Sequence, residues 1–466
     1  MTTKRGERVA IIGGGLSGLA VAWNLRGFGV EVDLYELASQ VGGNAYTANV
    51  SFDSIARFAD LGVNDFNANT YTNIVQILSE LQIPYLDLED TACFYTEDGS
   101  VVYTIDGGCG TPMSQKLSEG FAYFKQQAPI DYQSGEFQNA SIEQYLATPP
   151  YAPYMPDLAE LCIYPRVNAM YFCDDAGARG MPFAAIMHYY ILQEGMGTPT
   201  GPLRKYWVGG TNGANGWIQR LRAACGANVV TGASVKLVGQ SPGWQVVVGG
   251  APQTYDKIVI ACHPVDALGL FEAGLPAEAR QILSTFRYCQ STAVLHVWPG
   301  VLAPNRNAWR TYNVRIRPDG ESPSRYEMTY VENRHQNDAK NPPFDRYGLP
   351  EYYTSLNPHL PIPPELILVD AVTEQPCVKS FPHNVVDLAA MAAQAEIPTI
   401  QGVNGIYYTG GWTNGAGLHE ECWISAQNTA SAILGGGVSR DHLFDRRRPP
   451  GERAPLHVRR ALGLVT

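Results

Sequence analysis

Val9-Ala10-Ile11-Ile12-Gly13-Gly14-Gly15-Leu16-Ser17-Gly18 decides the fold, because an apolar run passes through a glycine turn into a helix. The run reads as a strand buried on both faces of a parallel sheet. After the turn, Leu19, Ala20, Ala22, Trp23 and Leu25 recur at helical spacing. Val30-Glu31-Val32-Asp33-Leu34-Tyr35 reads as the second strand, with Glu36 at its end. In this frame Gly13 makes the tight turn, Gly15 lets a pyrophosphate approach the backbone, and Gly18 permits close helix–strand contact. The free N–H groups at the helix start, at Leu16 and Ser17, attract the phosphates. Glu36, 18 residues after Gly18, is placed to accept hydrogen bonds from a ribose hydroxyl pair. Strand, turn, helix, strand and terminal acid in register mark a dinucleotide site.

Lys4, Arg5 and Arg8 lead into uncharged Val9 to Leu25, which superficially resembles a secretory signal. Seventeen residues with glycines at 13, 14, 15 and 18 are too short and too turn-rich for a membrane helix. No transmembrane segment is expected.

The whole chain has 466 residues, 45% hydrophobic and 17% charged, which predicts two or three compact units with much interior. Its net charge of −11, from 33 Lys+Arg against 44 Asp+Glu, disfavours a nucleic-acid partner, which needs a basic footprint. Seven arginines from Arg440 to Arg460 stand against Asp441, Asp445 and Glu452, so this end carries +4 and the remainder about −15. Residues 441–466 therefore read as a solvated basic tail. Nine cysteines form no CxxC pair and no Cys/His ligand spacing. They predict reduced thiols in a cytoplasmic protein, and no metal site.

Six residues past Glu36 comes Gly42-Gly43-Asn44. Here the chain resembles the glutathione-reductase-like FAD superfamily, in its amine oxidase, desaturase and isomerase branch. The resemblance implies that Gly42 and Gly43 continue the wrap around the FAD pyrophosphate. Asn44 then stands where an Arg or His is frequent. Gly405-Ile406-Tyr407-Tyr408-Thr409-Gly410-Gly411-Trp412 resembles the last strand and glycine turn of that FAD domain. Gly417-Leu418-His419-Glu420-Glu421 opens the helix that follows. The resemblance implies that Gly410, Gly411, Trp412, Leu418, His419, Glu420 and Glu421 lie against the flavin, where a helix N-terminus stabilises negative charge. It implies that the backbone of Val235 holds adenine, and that Gly62, in Asp60-Leu61-Gly62-Val63-Asn64-Asp65-Phe66-Asn67, passes the flavin ring. An ordinary turn is the other reading of Gly62. FAD is preferred to NAD because these distant segments complete a flavin site.

The expected fold class is α/β: a discontinuous Rossmann-like FAD-binding domain from 1–85, 206–290 and 396–440. An inserted α+β substrate domain from 86–205 and 291–395 carries an antiparallel sheet. Ala227 to Val238, Gly243 to Val248 and Tyr255 to Cys262 read as strands. Tyr326, Met328, Tyr330 and Tyr352-Tyr353-Thr354 suit the antiparallel sheet. Residues 154–196 are rich in Tyr and Met; most should be core, and a minority should line an apolar pocket.

The resemblance implies that flavin N5 accepts hydride from a small or apolar organic substrate, with oxygen as the reoxidant. A redox-neutral isomerase or desaturase acting on an unsaturated fatty acid or polyene is the alternative, and a flavin-stabilised scaffold is a third. Amine oxidases of this branch commonly place a lysine near N5, yet no lysine lies between Lys257 and Lys340. His296, in Ser291-Thr292-Ala293-Val294-Leu295-His296, is the candidate substitute; it reads either as a buried structural histidine or as a proton relay. His419 is the second catalytic candidate. Cys422 is considered, and disfavoured, as a covalent flavin tether. Oligomeric state is left open.

Overall fold

Val9, Ala10 and Ile11 are fully buried, as a strand with neighbours on both sides requires. In this computed structural model Glu7–Ile12 is the middle strand of a five-stranded parallel sheet. The order is Asn228–Val230, Val30–Tyr35, Glu7–Ile12, Lys257–Ile260 and Ile406–Tyr408. The structure describes residues 6–88, 91–171, 173–200, 205–207, 213–317, 325–336, 350–437, 448–449 and 452–465.

From the central strand the chain steps to one side, to Val30–Tyr35, and much later to the other, to Lys257–Ile260. Ligands of open parallel sheets bind where the strand order reverses in this way, at the carboxyl ends of the strands. The Gly13–Gly15 turn occupies that point. Its close packing is visible at Gly18 in the Leu16–Leu25 helix, where a Cβ would lie 2.0 Å from the Gly13 carbonyl oxygen.

A second sheet has seven strands: Val378–Asn384, Tyr288–His296, Tyr353–Leu356, Tyr326–Val331, Tyr312–Ile316, Ala92–Thr96 and Val101–Thr104. It is antiparallel except where Tyr312–Ile316 runs parallel to Ala92–Thr96. Both faces are covered over much of it, so Tyr312–Ile316 and Tyr326–Val331 are buried at every position. Helices Gln115–Ser134, Tyr164–Tyr171 and Phe183–Leu192 pack in the same core. The architecture is α/β, a Rossmann-like sheet beside a largely antiparallel one.

Three sequence readings change. Ala227 to Val238 is not one strand. The chain turns at Gly232, φ +67°, and only Asn228–Val230 joins the parallel sheet, while Val235–Gly239 opens a separate four-stranded sheet. Tyr255 to Cys262 likewise breaks at Asp256, whose N–H donates to the Arg8 carbonyl; Ala251–Tyr255 pairs in the small sheet and Lys257–Ile260 in the large one. The solvated basic tail is the third. Residues 441–447, 450, 451 and 466 lie outside the described residues. Beyond them Leu456–Ala461 is a helix, and Ala454, Val458 and Leu462, spaced four apart, join the main core. Burial of Val458 and of the flanking Ala454 and Leu462 draws this short helix onto the body, with Arg459 buried beside them.

Candidate active site

One cavity of about 1350 Å³ is lined by residues of both large sheets and of the helices between them. A pocket for a single ligand is typically about 300–1,000 Å³, so there is room for a dinucleotide and a second molecule.

Its first part is backbone. Gly13, Gly15, Gly42 and Gly43 line it, with Gly15 and Gly42 bridged as in a parallel ladder. A Cβ on Gly15 would meet only Gly43 Cα, at 3.9 Å, so this face of the turn opens into the cavity. Leu16 and Ser17, at the helix start, line it too, and that helix has no side-chain cap. Glu36 is held by two backbone donors: the Gly14 N–H reaches Oε2 at 2.7 Å and the Ala38 N–H reaches Oε1 at 2.7 Å. Val235 lies beyond it on the same wall. These glycine turns, an uncapped helix N-terminus and an acid at the second strand end fit the pyrophosphate and ribose of FAD.

The second part is the far glycine turn. Gly410, Gly411, Trp412, Leu418 and His419 line it, with the Trp412 indole N–H donating to the Cys262 carbonyl at 3.1 Å. Burial drives the His419 pKa down to about 3, so the imidazole facing the cavity is neutral. Its ring meets Trp217 edge-on at 6.0 Å. Burial pushes the Cys422 thiol up to about 12; a protonated thiol is a poor nucleophile, which counts against a tether there. Gly62 and Asn44 also line the cavity. Gly62 is glycine because of a close approach within the protein: a Cβ would sit 1.9 Å from the Asn44 carbonyl oxygen.

Glu420 and Glu421, expected at the flavin, are absent from the cavity lining. Glu420 accepts from the Asn73 and Ile74 N–H groups, both at 3.0 Å, and so caps the Thr72–Glu80 helix. Glu421 accepts from the Ala416 and Leu418 N–H groups and pairs with His188. Both point inward because the first turn of the His419–Ile433 helix is buried on all sides.

His296 is also outside the cavity. It is fully buried in its strand, its Nδ1 accepting from the Trp298 N–H at 3.1 Å and its Nε2 paired with Ser355 Oγ at 3.0 Å. Burial holds its pKa down to about 4. It is a structural histidine with both ring nitrogens used, and the catalytic reading is withdrawn.

The third part is a chamber of apolar and aromatic walls, including Phe94, Phe121, Tyr171, Tyr190 and Met328. Two cations enter it. The Arg166 guanidinium lies 4.7 Å from the Phe121 ring centroid and 5.4 Å from that of Phe94, and Lys125 Nζ lies 5.0 Å from Phe121. Arg166 Nε is buried without a hydrogen-bond partner. The Glu194 carboxylate, on the same lining, accepts from the Tyr189 hydroxyl at 3.0 Å.

Asp65, Gln193 and Tyr312 form a polar corner of the same wall. The Tyr312 hydroxyl donates to Asp65 Oδ2 at 2.6 Å, and the Gln193 amide donates to Oδ1. Behind them His335 stands 3.8 Å from both Asp65 Oδ2 and Glu332 Oε2, ion-pair separations longer than hydrogen bonds. Burial opposes its charge, but the two carboxylates outweigh it and raise its pKa to about 9. None of Arg166, Lys125, Tyr312 and His335 was singled out from sequence. Arg166 is one of two arginines, with Arg179, in the Tyr- and Met-rich 154–196 stretch, and that charge in an apolar context is the available signal.

Among the described residues no helix is long and apolar enough to cross a membrane. Residues 16–434 match the family described as flavin containing amine oxidoreductase. The fold is similar to a CLA-producing fatty acid isomerase from P. acnes, at 15% identity and TM-score 0.63, covering 93% of this chain and 100% of that one. It is equally similar to cyclohexylamine oxidase from Brevibacterium oxydans IH-35A, at 16% identity and TM-score 0.63, covering 92% and 99%. A 75-residue stretch is 37% identical to methylenetetrahydrofolate–tRNA-(uracil-5-)-methyltransferase TrmFO of Lactobacillus johnsonii (strain CNCM I-12250 / La1 / NCC 533). That match spans 16% of this chain and 16% of that protein.

Proposed function

The chain belongs to the flavin containing amine oxidoreductases, and from that premise we propose that it is an FAD-dependent oxidoreductase removing hydride from a carbon of a largely apolar organic acid. The observation that carries this reading is the single cavity whose lining includes both the glycine turns and the aromatic chamber with Arg166 and Lys125. When bound, FAD supplies the hydride acceptor, N5 of its ring. Gly13, Gly15, Gly42 and Gly43 would hold its pyrophosphate, Glu36 its ribose, and Leu418 and His419 its flavin end.

The chain's own residues then do three things. The aromatic walls exclude water, so charges in the chamber act through a low dielectric. Arg166 and Lys125, held among the aromatic rings, receive the acidic group and thereby orient the apolar body. Asp65 Oδ2 takes the hydrogen bond of the Tyr312 hydroxyl, fixing the phenol and leaving its oxygen as an acceptor.

Reoxidation by oxygen is the leading form of this proposal. A redox-neutral isomerase or desaturase is the second, favoured by one observation. No lysine lies between Lys257 and Lys340, and His296, considered in its place, lines no part of the cavity.

The test is an anaerobic screen of amines, amino acids and unsaturated fatty acids for bleaching of the bound flavin, followed by oxygen uptake with each hit. Apolar acids that bleach the flavin and yield peroxide support the oxidase form. Acids rearranged without net oxygen use support the isomerase form. Bleaching by amines alone contradicts the acid substrate.

A further inference from the structure

The residues behind the far glycine turn carry a second inference, independent of the substrate. Three segments distant in sequence bring donor atoms together there: His188 from the Phe183–Leu192 helix, Glu421 from the His419–Ile433 helix, and His457 from the Leu456–Ala461 helix. His188 Nδ1 is 2.6 Å from Glu421 Oε1, and His457 Nε2 is 3.8 Å from the same oxygen. The three donor atoms all lie within 4.8 Å of one another. The side chains are 3%, 0% and 9% exposed, in the order His188, Glu421, His457.

The surroundings hold this arrangement open. Glu421 Oε2 is fixed by the Ala416 N–H at 2.9 Å and the Leu418 N–H at 3.1 Å, which turns Oε1 toward both imidazoles. Outer hydrogen bonds of this kind orient metal-binding carboxylates. Gly415 adopts φ +54°, and a Cβ there would lie 2.1 Å from Glu421 Oε1 and 2.7 Å from His188 Nδ1. Any side chain at that position would invade the space between the donors. His457 Nε2 is buried and has no hydrogen-bond partner, so it is aimed at the cluster without a bond to satisfy it.

We propose that His188, Glu421 and His457 bind one divalent transition-metal cation, zinc by the nitrogen and carboxylate character of the donors. Metal–ligand bonds of about 2.0–2.2 Å replace the His188–Glu421 hydrogen bond, with a modest outward movement of one imidazole. His188 binds through Nδ1 as a neutral imidazole with its hydrogen on Nε2, and water completes the fourth position. None of the three side chains lines the cavity, so the ion stands apart from the reacting chamber. It ties the C-terminal helix to the turn that carries Leu418 and His419.

The test uses the full-length flavoprotein purified without chelator. Elemental analysis should find about one zinc per chain, as a single three-residue site predicts. After dialysis against a chelator, cobalt(II) should restore the site with a visible ligand-field band. His457→Gln should weaken cobalt binding by at least about 10-fold, the loss typical of even outer-sphere changes at metal sites. Zinc far below stoichiometry together with no cobalt band in the unaltered protein overturns the proposal. So does metal retained undiminished by His457→Gln. Should that variant fail to fold, the cobalt spectrum of the unaltered protein decides alone.

Discussion

Tyr312 donates its hydroxyl proton to Asp65 across 2.6 Å, joining the seven-stranded sheet to the short Asp65–Phe66 strand of a separate three-stranded sheet. Asp65 also faces His335, whose opposite side faces Glu332. A buried imidazolium between two carboxylates thus braces the cavity wall from behind.

That brace predicts a pH dependence. The His335 pKa, raised from its ordinary 6.5 to about 9, means the folded protein binds this proton more tightly than the unfolded chain. The stabilisation is fully present below pH 6.5 and is lost as pH rises through about 9, on the order of 3 kcal/mol in all. Asp65→Asn should flatten the decline. Denaturant unfolding at a series of pH values measures it, and equal slopes for both proteins would contradict the ion pair.

His296→Ala should separate structure from chemistry. Both ring nitrogens are hydrogen-bonded and the side chain is fully buried, so the loss should cost about 1–3 kcal/mol of stability. Rates of flavin reduction and reoxidation by stopped flow should stay within about twofold of the unaltered protein, since a rate change beyond that would demand an altered transition-state contact. A large rate loss with unchanged stability would return His296 to the reaction.

Gly15 and Gly18 should fail differently. At Gly18 a Cβ would lie 2.0 Å from a backbone oxygen, so Gly18→Ala should destabilise the fold by about 3 kcal/mol or more. At Gly15 the nearest atom would be 3.9 Å away. Gly15→Leu should therefore fold and yet lose FAD. A yellow, flavin-loaded Gly15→Leu protein would sink the N-terminal assignment.

What the sequence made legible follows from locality. The dinucleotide turn lies within Val9 to Glu36 and declares itself through glycine spacing and strand patterning. The far turn at Gly410 to His419 has similar local signals. Glu420 and Glu421 misled because their position beside that turn was visible, while their partners were not: Asn73 and Ile74 lie about 350 residues upstream and His188 over 230. His296 misled in the same way, since only the folded sheet sets Ser355 beside it. The cluster of His188, Glu421 and His457 has no spacing to read, because three separate helices assemble it. Arg166 was hidden by its context, as an aromatic stretch reads as core whichever face meets the cavity.

The central claim is that the chamber receives an apolar acid through Arg166. Its most direct measurement is titration of the FAD-loaded protein, without oxygen, with an unsaturated long-chain carboxylate while following the flavin spectrum. The account predicts a saturable spectral change, weakened at least about 10-fold in Arg166→Met, the equivalent of one lost charge-assisted hydrogen bond. A spectrum indifferent to the acid, or the same affinity in Arg166→Met, would contradict it.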